Sequence, residues 1–138
     1  MSFLVTEDHR ARSLETVPIC VRRKLAECGL ELSEEQWVGL PIAARRRMVD
    51  MRVESARERL SFANLVSWLC GTFLGAPPTQ QEEVLAAWRA SDPPPDSDLS
   101  ASVWRALSVD GRFAVIEAPS PRARHRLLSA LTDPPPSQ

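Results

Sequence analysis

The chain has 138 residues, of which 43% are hydrophobic and 25% are charged, so its composition is that of a globular protein and not of a disordered or membrane protein. Seventeen basic residues nearly balance eighteen acidic ones. The resulting net charge of -1 gives no overall positive field, which makes nucleic acid and anionic membranes poor candidate partners.

We expect no secretory signal in residues 1–12, because Asp8, His9 and Arg10 interrupt any apolar stretch. The chain contains three cysteines, and this odd number at wide spacing does not fit a disulfide framework. We therefore expect a cytoplasmic protein.

Helical signals cover nearly the whole chain, and no segment alternates apolar and polar residues long enough to predict a strand. The predicted class is all-α, with about six to eight helices. The first strong helix begins near Pro18 and ends at Gly29. Ser33 and Gln36 have the spacing of a capping box and predict a short helix that carries Trp37. Pro41 then begins the next helix.

A longer helix is predicted from about Glu54 to Leu74. Its apolar residues recur at steps of three and four, which predicts a core-facing stripe of Leu65, Trp68, Leu69 and Phe73. Trp68 is therefore a predicted structural anchor.

A further helix is predicted from about Thr79 to Ala90, before a proline run. We expect residues 1–12 to be poorly ordered, residues 13–133 to form one helical domain with a proline-rich linker at 93–97, and residues 134–138 to be a disordered tail.

Residues 32–50 and 99–117 resemble each other without a gap, which predicts an internal repeat of two helix pairs. Each copy carries a tryptophan, Trp37 or Trp104, as the predicted structural anchor between its two helices. Each also carries an arginine, Arg45 or Arg112, that either reaches backbone carbonyls of the preceding helix or lies on the surface. The matched residues are Leu32, Ser33, Trp37, Leu40 and Arg45 with Leu99, Ser100, Trp104, Leu107 and Arg112.

Catalytic motifs are missing from the sequence. His9 lies in the weakly structured start, and His125 lies among arginines that would make it a poor base. No serine has a nucleophile motif and no glycine-rich loop could bind phosphate. We expect a protein without enzymatic activity and without a cofactor.

Two binding chemistries stay open as alternatives. Cys28, together with Cys20 or Cys70, could carry a metal or an iron–sulfur cluster, although Cys20 and Cys28 lie roughly 12 Å apart along one helix. Buried apolar cysteines are the favoured interpretation. The arginines at 45–47 could contact nucleic acid in a small regulatory module, but a solvated helix face is favoured.

The sequence resembles the nitrate reductase-associated protein family. The first resembling block precedes Trp37 and the segment from Arg45 to Asp50, and contains Val17, Pro18, Ile19, Val21, Arg22, Lys24, Leu25, Cys28, Gly29, Leu30 and Leu32. The second contains Leu99, Ser100, Trp104, Leu107, Arg112, Phe113, Ala114, Val115 and Ile116. The chain departs from the family pattern at Met51, Arg52 and Val53, which replace a leucine–proline–cysteine step.

The resemblance implies a bacterial accessory protein that assists maturation or activity of assimilatory nitrate reductase by protein–protein binding. The partner would be a protein, with that reductase as the candidate, and nucleic acid and membranes would have no role. The candidate partner-binding residues are Arg22, Arg23, Lys24, Cys28, Arg45 and Arg112.

Overall fold

A computed structural model of the chain describes residues 3–4, 6–80, 87–95 and 99–132. Over these residues it is mostly helical with one small two-stranded sheet, so the predicted all-α class is confirmed. The α-helices of the described residues are α1 (His9–Arg12), α2 (Ile19–Glu27), α3 (Glu34–Val38), α4 (Ile42–Asp50), α5 (Ala56–Leu69), α6 (Ala101–Ala106), α7 (Val109–Glu117) and α8 (Pro121–Thr132).

The chain divides into two compact units. Of the described residues, the first unit contains residue 3 and residues 7–80, and the second contains residues 4, 6, 87–95 and 99–132. The prolines at 93–95, predicted to belong to a linker, lie within the second unit. None of the helices in the described ranges is long and apolar enough to span a membrane.

Serine caps set the start of several helices. Ser33 and Gln36 form the predicted capping box of α3, in which the Gln36 amide donates to Ser33 Oγ at 3.1 Å and the Ser33 amide donates to Gln36 Oε1 at 2.8 Å. Ser55 and Glu58 form a second box at the start of α5. Helix α2 ends where predicted, because Gly29 adopts a φ of 67° that side chains disfavour.

The long helix predicted from Glu54 is α5 followed by a π-helix (Cys70–Leu74). Its predicted core stripe is wrong at Trp68 and Phe73, which are 60% and 48% exposed and pack edge-to-face on each other with ring centroids 6.3 Å apart. The buried face is Phe62, Val66 and Leu69. Consecutive residues of a helix point about 100° apart, so an apolar stripe that is shifted by one position along the sequence faces a different side of the helix.

A short antiparallel ribbon joins β1 (Leu30–Glu31) to β2 (Thr79–Gln80), with Leu30 opposite Gln80. The prediction of a helix from about Thr79 is therefore wrong at its first two residues, which form β2. Its next part, 81–86, lies outside the described residues, and it ends in a 3-10 helix (Ala87–Arg89). Strands of two residues are too short to show an alternating pattern.

The start of the chain, expected to be poorly ordered over residues 1–12, contains the helix α1. Asp8 caps this helix, because its Oδ1 accepts from the Ala11 amide at 3.0 Å, and Ala11 is buried. Glu7 Oε2 accepts from the Ile19 amide at 3.3 Å, at the start of α2. The Asp8 cap, the hydrogen bond from Glu7 to the start of α2 and the burial of Ala11 therefore hold this segment in place. The tail predicted at 134–138 lies outside the described residues.

Each unit has an aromatic core. In the first, Trp37, Met48, Val53 and Phe62 are fully buried. In the second, Trp88 packs edge-to-face on Phe113 with ring centroids 5.0 Å apart, and Trp104 is fully buried.

The orientation of α5 is tested by comparing Phe62→Ala with Trp68→Ala in urea unfolding. Phe62→Ala should lower the free energy of unfolding by about 3–5 kcal/mol, because it leaves a cavity in the core. Trp68→Ala should cost about 1 kcal/mol or less, since that ring is mostly exposed. An equal loss for the two variants would contradict the observed orientation of α5.

Candidate partner-binding surface

Two side chains that donate to the same backbone carbonyl organise the first unit. Trp37 Nε1 donates to the Leu14 carbonyl at 2.8 Å, and Arg45 Nη1 donates to the same oxygen at 3.0 Å. A carbonyl oxygen has two lone pairs, so both donors are accommodated. We call this arrangement, a tryptophan and an arginine on one carbonyl oxygen, the Trp–Arg clamp.

The rest of the Arg45 guanidinium closes the end of α3. Its Nη2 donates to the Val38 carbonyl at 2.8 Å and its Nε donates to the Leu40 carbonyl at 3.0 Å. These carbonyls lie where a helix leaves its last acceptors unsatisfied, and a cation is favourable there. Arg45, a predicted partner-binding residue, is therefore committed to the backbone of its own unit.

The second unit contains the same clamp. Trp104 Nε1 donates to the Ala90 carbonyl at 2.9 Å, and Arg112 Nη1 lies 3.4 Å from the same oxygen and 3.3 Å from the Trp88 carbonyl. Arg112 Nε donates to the Trp104 carbonyl at 3.0 Å, and the guanidinium lies 5.1 Å from the centre of the Trp104 ring. Arg112, like Arg45, is held by backbone carbonyls of its own unit.

The basic cluster of α2, predicted to face a partner, is divided by the fold. Arg22 is exposed, but Arg23 and Lys24 are 5% and 4% exposed. Arg23 forms a buried ion pair with Glu27. The prediction that Arg23 and Lys24 lie on a partner-binding face is therefore wrong, because three consecutive helical residues spread over more than half a turn and cannot share one face.

Lys24 links two helices of the first unit. Its ammonium donates to the carbonyls of Met48 at 3.2 Å and Val49 at 2.6 Å, in the last turn of α4. A buried cation is tolerated at this position because its N–H groups replace water with carbonyl acceptors at the negative end of a helix dipole.

Cys28 is a half-buried thiol. Burial, together with the charge of Glu27, raises the pKa of Cys28 to about 11, although Arg59 acts in the opposite direction. Its Sγ lies 3.5 Å from the Arg59 carbonyl. The thiol is therefore protonated at neutral pH, which makes it a poor nucleophile and a poor metal ligand.

The other two cysteines, Cys20 and Cys70, are buried, and burial raises the pKa of Cys70 as well. Within the described parts of the chain, no three His, Cys, Asp or Glu side chains are grouped so that they could hold a metal ion. The burial of Cys20 and Cys70 is the packing that the sequence favoured for these residues.

Arg46 and Arg47, the neighbours of Arg45, are exposed on the outer face of α4. Arg46 borders a cavity of about 290 Å³, and the other lining residues are Phe3, Arg12, Ser13, Leu14, Val49 and Asp50. The sequence analysis names Arg46 only in the nucleic-acid alternative and not among the candidate partner-binding residues. The run of three arginines does indicate that Arg46 is exposed. Consecutive residues of a helix point in different directions, so an arginine that binds the protein interior leaves its neighbours on the surface.

The clamp is tested by comparing Arg45→Lys with Arg46→Lys. Lysine keeps the charge but lacks the planar fork, so Arg45→Lys should lower the free energy of unfolding by about 1–3 kcal/mol. Arg46→Lys should change it by about 0.5 kcal/mol or less. Urea unfolding of the two variants measures this, and equal stability of both would exclude a structural role for Arg45.

The state of Cys28 is tested by alkylation with iodoacetamide, located by mass spectrometry. In the folded protein the raised pKa predicts slow reaction at neutral pH and faster reaction as the pH rises toward 11. In urea, where the pKa returns to about 8.5, the reaction should be faster at the same pH. Equal rates in the folded and unfolded protein at neutral pH would show that burial does not protect this thiol.

Comparison with known proteins identifies the family. Residues 3–133 match the model of the conserved nitrate reductase-associated protein family, and the match includes both Trp–Arg clamps. No curated protein and no solved structure is detectably similar to the chain. Because the match spans nearly the whole sequence, the chain belongs to the conserved nitrate reductase-associated protein family.

Proposed function

We propose that this protein is a non-enzymatic accessory protein that binds assimilatory nitrate reductase in the bacterial cytoplasm and assists its maturation or activity. The observation that carries the proposal is the family match over residues 3–133, whose description links the family to nitrate reductase.

The side chains that could take part in acid–base or nucleophilic chemistry are engaged in structural contacts or protonated, and this supports binding over catalysis. Arg45, Arg112 and Lys24 donate to backbone carbonyls, and Cys28 is a protonated thiol. These groups stabilise the units and are not poised for proton or group transfer. The exposed cations Arg46 and Arg47 are suited instead to contact with a partner.

The two clamps support an internal duplication of residues 32–50 and 99–117. In both segments a serine caps the first helix, the tryptophan follows four residues later, and the arginine shares the tryptophan's carbonyl acceptor. We infer that each segment is a copy of one structural unit, in which the clamp keeps the helix pair rigid.

The proposal is tested in a bacterium that carries both this gene and the reductase gene. Deleting this gene should slow growth on nitrate but not on ammonium, and extracts should contain the reductase polypeptide with lowered activity. Returning the gene should restore that activity. Normal reductase activity in the deletion strain would refute an accessory role.

Direct contact needs its own measurement. Titrating the purified protein into purified reductase by calorimetry should give saturable heat. A deletion phenotype without any such heat would mean that the protein acts on the reductase without binding it.

A further inference from the structure

Two hollows flank the outer face of α4. On one side lies the cavity of about 290 Å³, and on the other an open depression of about 490 Å³ bordered by Ile42, Arg47 and Met51. Arg46 and Asp50 border both. We call these two hollows, which share Arg46 and Asp50 as a border, the α4 groove.

The wall of the groove is a strained and fixed piece of backbone. Leu14, which lines the cavity, has a φ of 66°, and it is the only residue other than glycine with a positive φ among the described residues. This φ belongs to the left-handed C-cap that ends α1, in which the Leu14 amide donates to the Ala11 carbonyl at 3.0 Å and the Glu15 amide donates to the Arg10 carbonyl at 2.8 Å. The clamp adds two donors, from Trp37 and Arg45, to the Leu14 carbonyl. These local hydrogen bonds and the clamp together fix the backbone at Leu14. The cavity wall is therefore formed before any partner arrives.

The size of the cavity indicates what enters it. Its volume lies at the lower limit of the range of about 300–1,000 Å³ that is typical of cofactor and small-molecule sites. Its apolar wall consists of Phe3, Leu14 and Val49. A single apolar side chain suits this space better than a cofactor. The adjoining open depression, where Ile42 is 46% exposed, extends the contact along α4 as a polypeptide segment would require.

The charge of the groove indicates the chemistry of that segment. Three arginines, Arg12, Arg46 and Arg47, border it against one carboxylate, Asp50, although the whole chain has a net charge of -1. Arg12 Nε donates to the Glu7 carbonyl at 3.0 Å, which orients this side chain at the rim. Guanidinium groups bind carboxylates through paired N–H donors, so the groove is complementary to an acidic segment.

We propose that the α4 groove binds an acidic segment of a partner protein, with an apolar side chain in the cavity and a neighbouring carboxylate on Arg46. The proposal deepens the proposed function by assigning the surface and the kind of segment through which nitrate reductase would be bound. The face of the molecule that binds is then α4 and not the exposed part of α2.

The first test selects binders from a random peptide library displayed on phage, with the full chain as the target. Enriched peptides should carry Asp or Glu close to a large apolar residue. A synthetic peptide of the enriched sequence should bind Arg46→Glu about tenfold or more weakly than the unaltered chain, because the charge at its carboxylate is reversed. Arg22→Glu, the same charge change at an exposed position of α2, should leave the affinity unchanged.

Three results would overturn the proposal. One is enrichment of peptides without acidic residues, and another is equal weakening by Arg46→Glu and Arg22→Glu. The third is Arg46-dependent binding to duplex DNA or to phosphatidylserine vesicles in place of peptide, since a basic face could also serve those surfaces. Unchanged unfolding by urea in both variants shows that each remains folded.

A second arm uses purified nitrate reductase and separates this proposal from the proposed function. If both hold, Arg46→Glu weakens reductase binding and Arg22→Glu does not. Peptide binding through Arg46 without any reductase binding would support the groove and reject the reductase as partner. Reductase binding that is insensitive to Arg46→Glu would support the partner and reject the groove.

Discussion

The carbonyl oxygen of Leu14 is the point on which the first unit depends. It receives the indole N–H of Trp37 and the guanidinium of Arg45, so one backbone atom joins the segment before α2 to α3 and α4. The contact buries a tryptophan whose polar atom would otherwise lack a partner, and an unpaired N–H in a core costs about 1–3 kcal/mol. The Ala90 carbonyl does the same in the second unit with Trp104 and Arg112.

This constraint divides the charges of the protein into two classes. Inward cations, such as Arg45 and Lys24, terminate helices and stabilise the fold through backbone carbonyls. Outward cations, such as Arg46 and Arg47, point to solvent because each residue of a helix is rotated by about 100° from the one before it, and Arg45 points inward. The clamp thus holds the Leu14 carbonyl at the cavity wall and sets the direction in which Arg46 points, so the surface proposed for binding follows from the interior contact.

Local signals were enough to predict α2 to α7 and several of their ends, but not α1 or α8. Ser33 caps α3 and Gly29 ends α2 because these effects depend on neighbouring residues alone. The direction of a side chain around a helix depends on distant contacts, so the exposure of Trp68 and the burial of Lys24 were not predictable from spacing. The clamp acceptor was also hidden, because Leu14 lies 23 residues from Trp37 and contributes a carbonyl group that every residue possesses.

The most direct test of the clamp is a double-mutant cycle of Trp37→Phe and Arg45→Met in urea unfolding. After either single substitution the Leu14 carbonyl keeps one donor, and after both it has neither of them. The double variant should therefore lose more stability than the sum of the two single losses, by about 1 kcal/mol or more. Losses that add without any coupling energy would show that the two side chains act independently and that the shared carbonyl does not organise the unit.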